Sequence, residues 1–169
     1  RSTVGTSTEI YDYIKLLYAR IGKTFSPVSG KEVKRHNISD IVDTLINDFQ
    51  GKRVLIFSPY PIKDKSSAHY IDLLMKQGFS RIQYDGEIVR LEEIKENKKI
   101  TFKNTINILI DRIQINNINE LESRIADSVQ TAFYESHGKC IINVHDADIL
   151  IKEIEFSDKF ESDGIVFEE

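Results

Sequence analysis

Gly22-Lys23-Thr24 is the first group in this chain that could do chemistry, because it has the form of the end of a phosphate-binding loop. Such a loop needs another glycine five positions before the second one, so that consecutive backbone amides can cradle phosphate. That position is Leu17, within a stretch of helical spacing, and no strand precedes it. The other Gly-Lys pairs, at Gly30, Gly51 and Gly138, are followed by Glu32, Arg53 and Cys140 and fail as well. Histidines stand at 36, 69, 137 and 145, with no repeated metal-ligand separation and no Ser–His–acid spacing. The single cysteine, Cys140, sits in the strand-like run Lys139-Cys140-Ile141-Ile142-Asn143-Val144, where it reads as a small buried apolar residue and excludes an internal disulfide. Nothing in the residues argues for an autonomous active centre.

Charge narrows the partners. Twenty-three basic residues face 27 acidic ones, a net of −4, and the signs alternate along the chain. Duplex binders carry a basic face or stripe, and phosphate neutralisation supplies most of their non-specific affinity. The longest basic cluster, around Lys95, Lys98 and Lys99, reads as a solvated loop, so the chain alone is not expected to hold DNA strongly. No apolar run reaches the ~18 residues of a membrane span. The 169 residues suit one domain, or one domain with an appendage, and 40% apolar content is enough for a core.

The elements that would position any site are legible from periodicity. Thr6-Ser7-Thr8-Glu9 fits a capping box, followed by Ile10, Ile14, Leu17 and Ile21 at helical spacing. A helix begins near Ser39, with Ile41, Val42, Leu45, Ile46 and Phe49 on one face and Gly51 as its stop. Arg53 to Ser58 reads as a buried strand ended by Pro59 and Pro61. A helix over about Ser67 to Gln77 and a strand over Phe79 to Tyr84 follow, and this strand–helix–strand order suggests a parallel crossover. Asp85-Gly86 signals a hairpin whose return is Glu87 to Leu91. Glu92 to Lys99 reads as a charged connector, and Ile100 to about Ile115 as a long strand with Ile106, Ile108 and Ile110 on one face. A helix opening at Asn119 carries Leu121, Ile125, Val129 and Ala132 or Phe133, and two strands, Lys139 to Val144 and Ile149 to Phe156, flank the turn at Asp146-Ala147-Asp148. The expected class is α/β in the α+β sense: a mixed sheet with packed helices.

Beyond this reading, the opening Arg1-Ser2-Thr3-Val4-Gly5-Thr6-Ser7-Thr8-Glu9-Ile10, running to Gly22, closely resembles a segment of the UvrA family, in which R-S-T-V-G-T-x-T-E-I-x-D-Y-L-x-L-L-x-A-R-x-G follows the glutamine loop of the first ATPase half. The resemblance continues in order through Gln77-Gly78-Phe79-Ser80-Arg81 with Asp85-Gly86-Glu87, through Asn97-Lys98-Lys99 with Ile108-Leu109-Ile110-Asp111-Arg112, through Arg124-Ile125-Ala126-Asp127-Ser128, and through Phe156-Ser157-Asp158-Lys159-Phe160. Divergence concentrates in residues 33–66. The resemblance implies a module inserted in an ABC-type ATPase: residues 1–30 as a stalk, 31–148 as a UvrB-binding domain, and 149–169 as the return stalk. It implies that the chain's ends are cut points in a longer protein. The parent would be a cytoplasmic, dimeric, DNA-stimulated ATPase of nucleotide excision repair that binds ATP, Mg and damaged DNA. This chain, which has none of the family's nucleotide-binding motifs, would neither bind nor hydrolyse ATP.

Most members of the resembled family have C-P-x-C-G where this chain has Ser26-Pro27-Val28-Ser29-Gly30, and a second such pair where it has Phe160-Glu161-Ser162-Asp163-Gly164. Two Cys-x-x-Cys halves make a tetrahedral zinc site, and serine does not replace thiolate at neutral pH. The expectation is no zinc at Ser26, Ser29 and Ser162, with Phe25, Val28, Phe160 and Ile165 closing that junction by apolar packing.

By the same resemblance, Arg81 and Arg112 match family positions that form ion pairs with acidic residues of UvrB. Arginine suits this in kind, since its planar fork of donors fits carboxylates. The residues alone leave another reading open, with Arg81 solvated and Arg112 paired internally with Asp111 or Glu87. A rival function is an independent small enzyme or ligand-binding domain with a cleft near Ser58 to Ser67, where open α/β sheets commonly bind ligands.

Overall fold

The computed structural model describes residues 24–25, 32–33, 35–63, 67–96, 101–102, 104–116, 120–159, 161–162 and 165–166. The capping box and first helical stretch lie outside them, as do Ser26, Ser29 and residues 64–66. The chain forms two compact units, one of His36–Asp158 and one of Arg1–Arg35 with Lys159–Glu169. In the smaller unit, β1 (Thr24–Phe25) pairs antiparallel with β2 (Glu32–Val33), and β9 (Glu161–Ser162) with β10 (Ile165–Val166).

The larger unit is one six-stranded sheet with helices on one face. Its strands are β3 (Arg53–Pro61), β4 (Arg81–Tyr84), β5 (Glu87–Arg90), β6 (Thr105–Gln114), β7 (Lys139–Asp146) and β8 (Ile149–Ser157), in the order β5-β4-β6-β3-β7-β8. Its helices are α1 (Ile38–Asp48), α2 (Ser67–Lys76), α3 (Leu91–Glu96) and α4 (Leu121–Ser136). The α+β class is as expected. The parallel crossover and the mixed sheet are not, because every neighbouring pair in this sheet is antiparallel. β3 and β4 do run the same way, but β6 lies between them and pairs with both. The strand–helix–strand pattern showed the direction of β4 correctly and could not show that a later strand fills the gap. Residues 149–157 form β8, hydrogen-bonded to β7 from Ile149 to Ser157.

Local chemistry sets the element ends. Asn37 caps α1 by accepting the Asp40 amide at 2.8 Å, and Gly51 turns the chain away with φ +76°. Asp85 and Gly86 take φ 48° and 86°, the left-handed pair that a two-residue hairpin requires. β3 does not stop at Pro59 but runs through Pro61. Ile62 donates its amide to Asn104 beyond the start of β6, so amides of the opposite parity, at 59 and 61, face the other side. On that side β7 pairing has already ended at Phe57, and proline loses no ladder bond there. The charged connector proved to contain α3: Leu91 and Ile94 are buried, but a six-residue helix with four charged positions is too short to show periodicity.

Two clusters fill the space between sheet and helices. α1 and α4 cover Val54, Ile56, Ile113, Ile115, Ile142 and Val144, while α2 and α3 cover Ile82, Ile106 and Ile108. Ile110 touches both. Ser58, buried on this face, donates its hydroxyl to the Ala132 carbonyl of α4 at 2.8 Å, so it serves the core and is unavailable to a ligand. Cys140 is fully buried, and burial pushes its thiol up to about 12. The thiolate is the reactive form. Cys140 is therefore expected to resist alkylation at pH 8 in the native protein and to react fully once urea unfolds it, read by intact mass. Rapid labelling of the folded protein would contradict the packing described here.

Candidate partner-binding site

The sheet face opposite the helices carries the site, and a bulge decides what lies on it. In β6, strict alternation would place Arg112 with Ile106, Ile108 and Ile110, toward the helices. The β3–β6 register shifts instead: Ile56 pairs with Asp111 and Phe57 with Leu109, leaving Ile110 as the extra residue. Past that point Asp111, Ile113 and Ile115 face the helices, and Arg112 turns to the opposite face beside Leu55. Bulges re-aim side chains in this way.

Helix α4 holds the bulge. Arg124 donates to Asp111 twice, Nε to Oδ2 at 2.9 Å and Nη2 to Oδ1 at 2.8 Å. Ser128, one turn further on, donates to Oδ2 at 2.9 Å. The Arg112 amide donates to Asp111 Oδ1 at 2.7 Å, and the Arg112 carbonyl accepts from Arg124 Nη2 at 3.2 Å. Burial acts to raise the Asp111 carboxyl, and the hydrogen bonds from Arg124, Ser128 and the Arg112 amide outweigh it, so the group is held below the ordinary carboxylate value. The stretches Ile108–Arg112 and Arg124–Ser128, far apart in sequence, thus meet in one network. Its effect is to aim Arg112. The internal pairing of Arg112 with Asp111 does not occur through the guanidinium, because Arg124 occupies that carboxylate.

Arg81 shares the face with Arg112. The register Ile82↔Ile108 and Gln83↔Asn107 sets Arg81 level with Leu109, roughly 10 Å along and across from Arg112 at ordinary strand spacings. Arg81 is exposed, as is Arg112, and neither guanidinium makes an ion pair among the described residues. Arg90, which sequence reasoning passed over, stands directly opposite Arg81 across β4 and β5 and is exposed. Like charges directly opposite each other destabilise a sheet. The only signal that could have found Arg90 was its distance from Asp85-Gly86: the two-residue turn pairs Tyr84 with Glu87, and counting outward pairs Arg81 with Arg90.

Between these arginines and the far edge lies a concavity of about 470 Å³. Leu55 and Phe57 form its floor, and Gln83, Glu87, Ile88, Arg112, Asn143 and His145 stand around it. Residues of the β4–β5 hairpin and of the β7–β8 hairpin, from opposite edges of the sheet, both line it, so the sheet is cupped on this face. Among the described residues no three His, Cys, Asp or Glu side chains are grouped to hold a metal, and no helix is long and apolar enough to cross a membrane.

Residues 37–146 match the family model of the UvrA interaction domain, which is nearly the whole of the larger unit. This chain belongs to the UvrA interaction domain family. Its relatives include the UvrABC system protein A of Clostridium tetani, 41% identical over 156 residues, covering 90% of this chain and 16% of that protein. The protein of the same name from Methanothermobacter thermautotrophicus is 39% identical over 82% of this chain and 14% of its own length. That of Malacoplasma penetrans is 38% identical over 90% and 16%. The chain therefore spans about one-sixth of the length of the relatives it matches. By their names, these relatives are proteins of the UvrABC system.

Proposed function

We propose that this chain is the non-catalytic docking arm of a UvrA protein, and that its cupped sheet face receives acidic groups of UvrB through Arg81 and Arg112. The observation that carries this reading is the bulge that turns Arg112 outward while Asp111, its neighbour in sequence, is committed to Arg124. A network of five hydrogen bonds beside a guanidinium that is unpaired among the described residues makes sense for a surface completed by a second protein. Arg90 belongs to the same surface: the cost of facing Arg81 across the strands is relieved when carboxylates of a partner sit between them.

The parent protein, on this reading, is a cytoplasmic, dimeric ATPase that uses ATP and Mg and holds damaged DNA. The arm hands the lesion to UvrB and then releases it, which a charge-dominated contact permits. Residues 1–30 and the end of 149–169 would be the two stalk segments through which the inserted domain leaves and rejoins the ATPase. Loss of both cysteine pairs in the stalk segments leaves no thiolates for zinc, and elemental analysis of the purified chain should find the metal well below one equivalent. Binding of the chain to purified UvrB, titrated at 50 mM and 300 mM salt, tests the main proposal: affinity should fall clearly at the higher salt, where exposed pairs are screened within a few ångströms. Absence of binding at the lower salt would reject it.

A further inference from the structure

Three polar atoms in the cupped face have no partner among the described residues. Asn143 is almost wholly buried, and its Oδ1 accepts from none of the described residues. Arg53 Nε and His145 Nδ1 are buried and also unpartnered, although Arg53 Nη2 reaches the Ala147 carbonyl at 2.7 Å and Asp148 at 3.0 Å. All three residues line the same concavity. The register explains why they converge: Arg112, Leu55 and Asn143 are successive neighbours across β6, β3 and β7, and Arg53 with His145 forms the adjacent row. Buried polar groups in folded proteins are nearly always satisfied, because an orphaned one forfeits its hydration with no return. Three in one recess, over a floor of Leu55 and Phe57, is the pattern of a site built for an occupant.

The composition of the recess says what fits. Arg112 supplies donors for an anion, Asn143 Oδ1 needs a donor, and the floor is apolar; of the two carboxylates on the lining, Asp148 is paired with Arg53, and Glu87 stands on the β4–β5 hairpin. A single residue can satisfy Arg112, Asn143 and the floor together, though not the Arg53 and His145 nitrogens: an acidic side chain whose methylenes lie on Leu55, whose carboxylate meets Arg112, and whose own main-chain amide donates to Asn143. Resting on the docking reading above, we infer that this recess receives one acidic residue of an extended segment of the partner, with Asn143 reading its backbone and Arg112 its carboxylate. Arg81 and Arg90 then act at the rim, outside the recess.

Asn143→Leu, which keeps the branching and number of side-chain heavy atoms, separates this role from a structural one. Removing an orphaned buried acceptor should leave the melting temperature unchanged or raised. Affinity for purified UvrB should nevertheless fall roughly tenfold, the value of one well-made hydrogen bond in a closed site. The loss should be smaller in an Arg112→Ala background, since both residues grip the same group. Asn143→Asp, which keeps the shape but repels a carboxylate, should weaken binding further, and it decides the matter if the leucine variant misfolds. Wild-type affinity in a well-folded Asn143→Leu or Asn143→Asp protein would overturn the recess while leaving the docking reading standing, provided Arg81→Ala with Arg112→Ala still loses binding. A marked drop in melting temperature for both variants would assign the amide to the fold and equally overturn it. So would stabilisation by millimolar free glutamate in a protein whose UvrB affinity ignores both substitutions, which would mark a small-molecule site.

Discussion

Changing Arg81 and Arg112 together to alanine is expected to abolish measurable UvrB binding with the fold intact. Both residues are exposed, and neither guanidinium is paired among the described residues, so nothing in the core is lost when they are truncated. Surface substitutions of that kind usually shift stability within about 0.5 kcal/mol. Binding is another matter. Truncating one member of a charge pair that becomes desolvated in a complex commonly costs ~2–5 kcal/mol, because the partner's charge stays buried without its counterpart. Two such losses on one face would carry a micromolar or tighter complex out of the range of calorimetric titration. The Arg112 change should account for the greater share and act mainly on dissociation. Arg81, nearer the solvent edge beside Arg90, should contribute more to the association rate and its salt dependence. Circular dichroism with calorimetry on the same samples checks both halves. Unchanged affinity would reject these residues as the docking contacts.

Asp111→Ala should produce the second large effect, in stability and in docking at once. The carboxylate binds Arg124 through two oxygens and takes Ser128 and the Arg112 amide as well. Arg124 is mostly solvated and can rehydrate, so the loss is that of a half-buried hydrogen-bonded anion, about 1–3 kcal/mol. The pH dependence has a definite sign. The folded Asp111 carboxyl lies below its unfolded value, near 3.9. Its contribution is therefore fully present above about pH 4 and is lost as pH falls through the folded value. Wild type and variant should differ in urea stability at neutral pH and converge in acid. Because Asp111 also ties down the peptide that aims Arg112, the variant should bind UvrB more weakly even where it is fully folded, and should add little to Arg112→Ala. A variant as stable as wild type at pH 7, or one that differs by the same amount at pH 3, would show that the network does not hold the bulge.

Much of this was legible in the residues. Helical spacing located α1, α2 and α4 with their buried faces, because apolar side chains three and four apart have no other reason to recur. Asp85-Gly86 located the β4–β5 hairpin, since few residues tolerate two consecutive positive φ angles. α3 was hidden because six residues give a periodicity nothing to repeat. The length of β3 was misread at Pro59 because proline's effect depends on whether a neighbouring strand is present, which is a fact about β7 and not about β3.

Arginines 81 and 112 could be named from their family positions, but alternation placed Arg112 on the buried side of its strand. Composition, spacing and resemblance were enough to point to an α+β domain, to exclude an internal disulfide with a single cysteine, and to single out two cationic forks. The insertion of β6 between β3 and β4, the turn of Arg112 to the opposite face at Ile110, and the meeting of Arg53, Asn143 and His145 around Leu55 were decided by tertiary structure alone. Each depends on how strands distant in sequence fall into register, and register comes from packing both faces of the sheet at once.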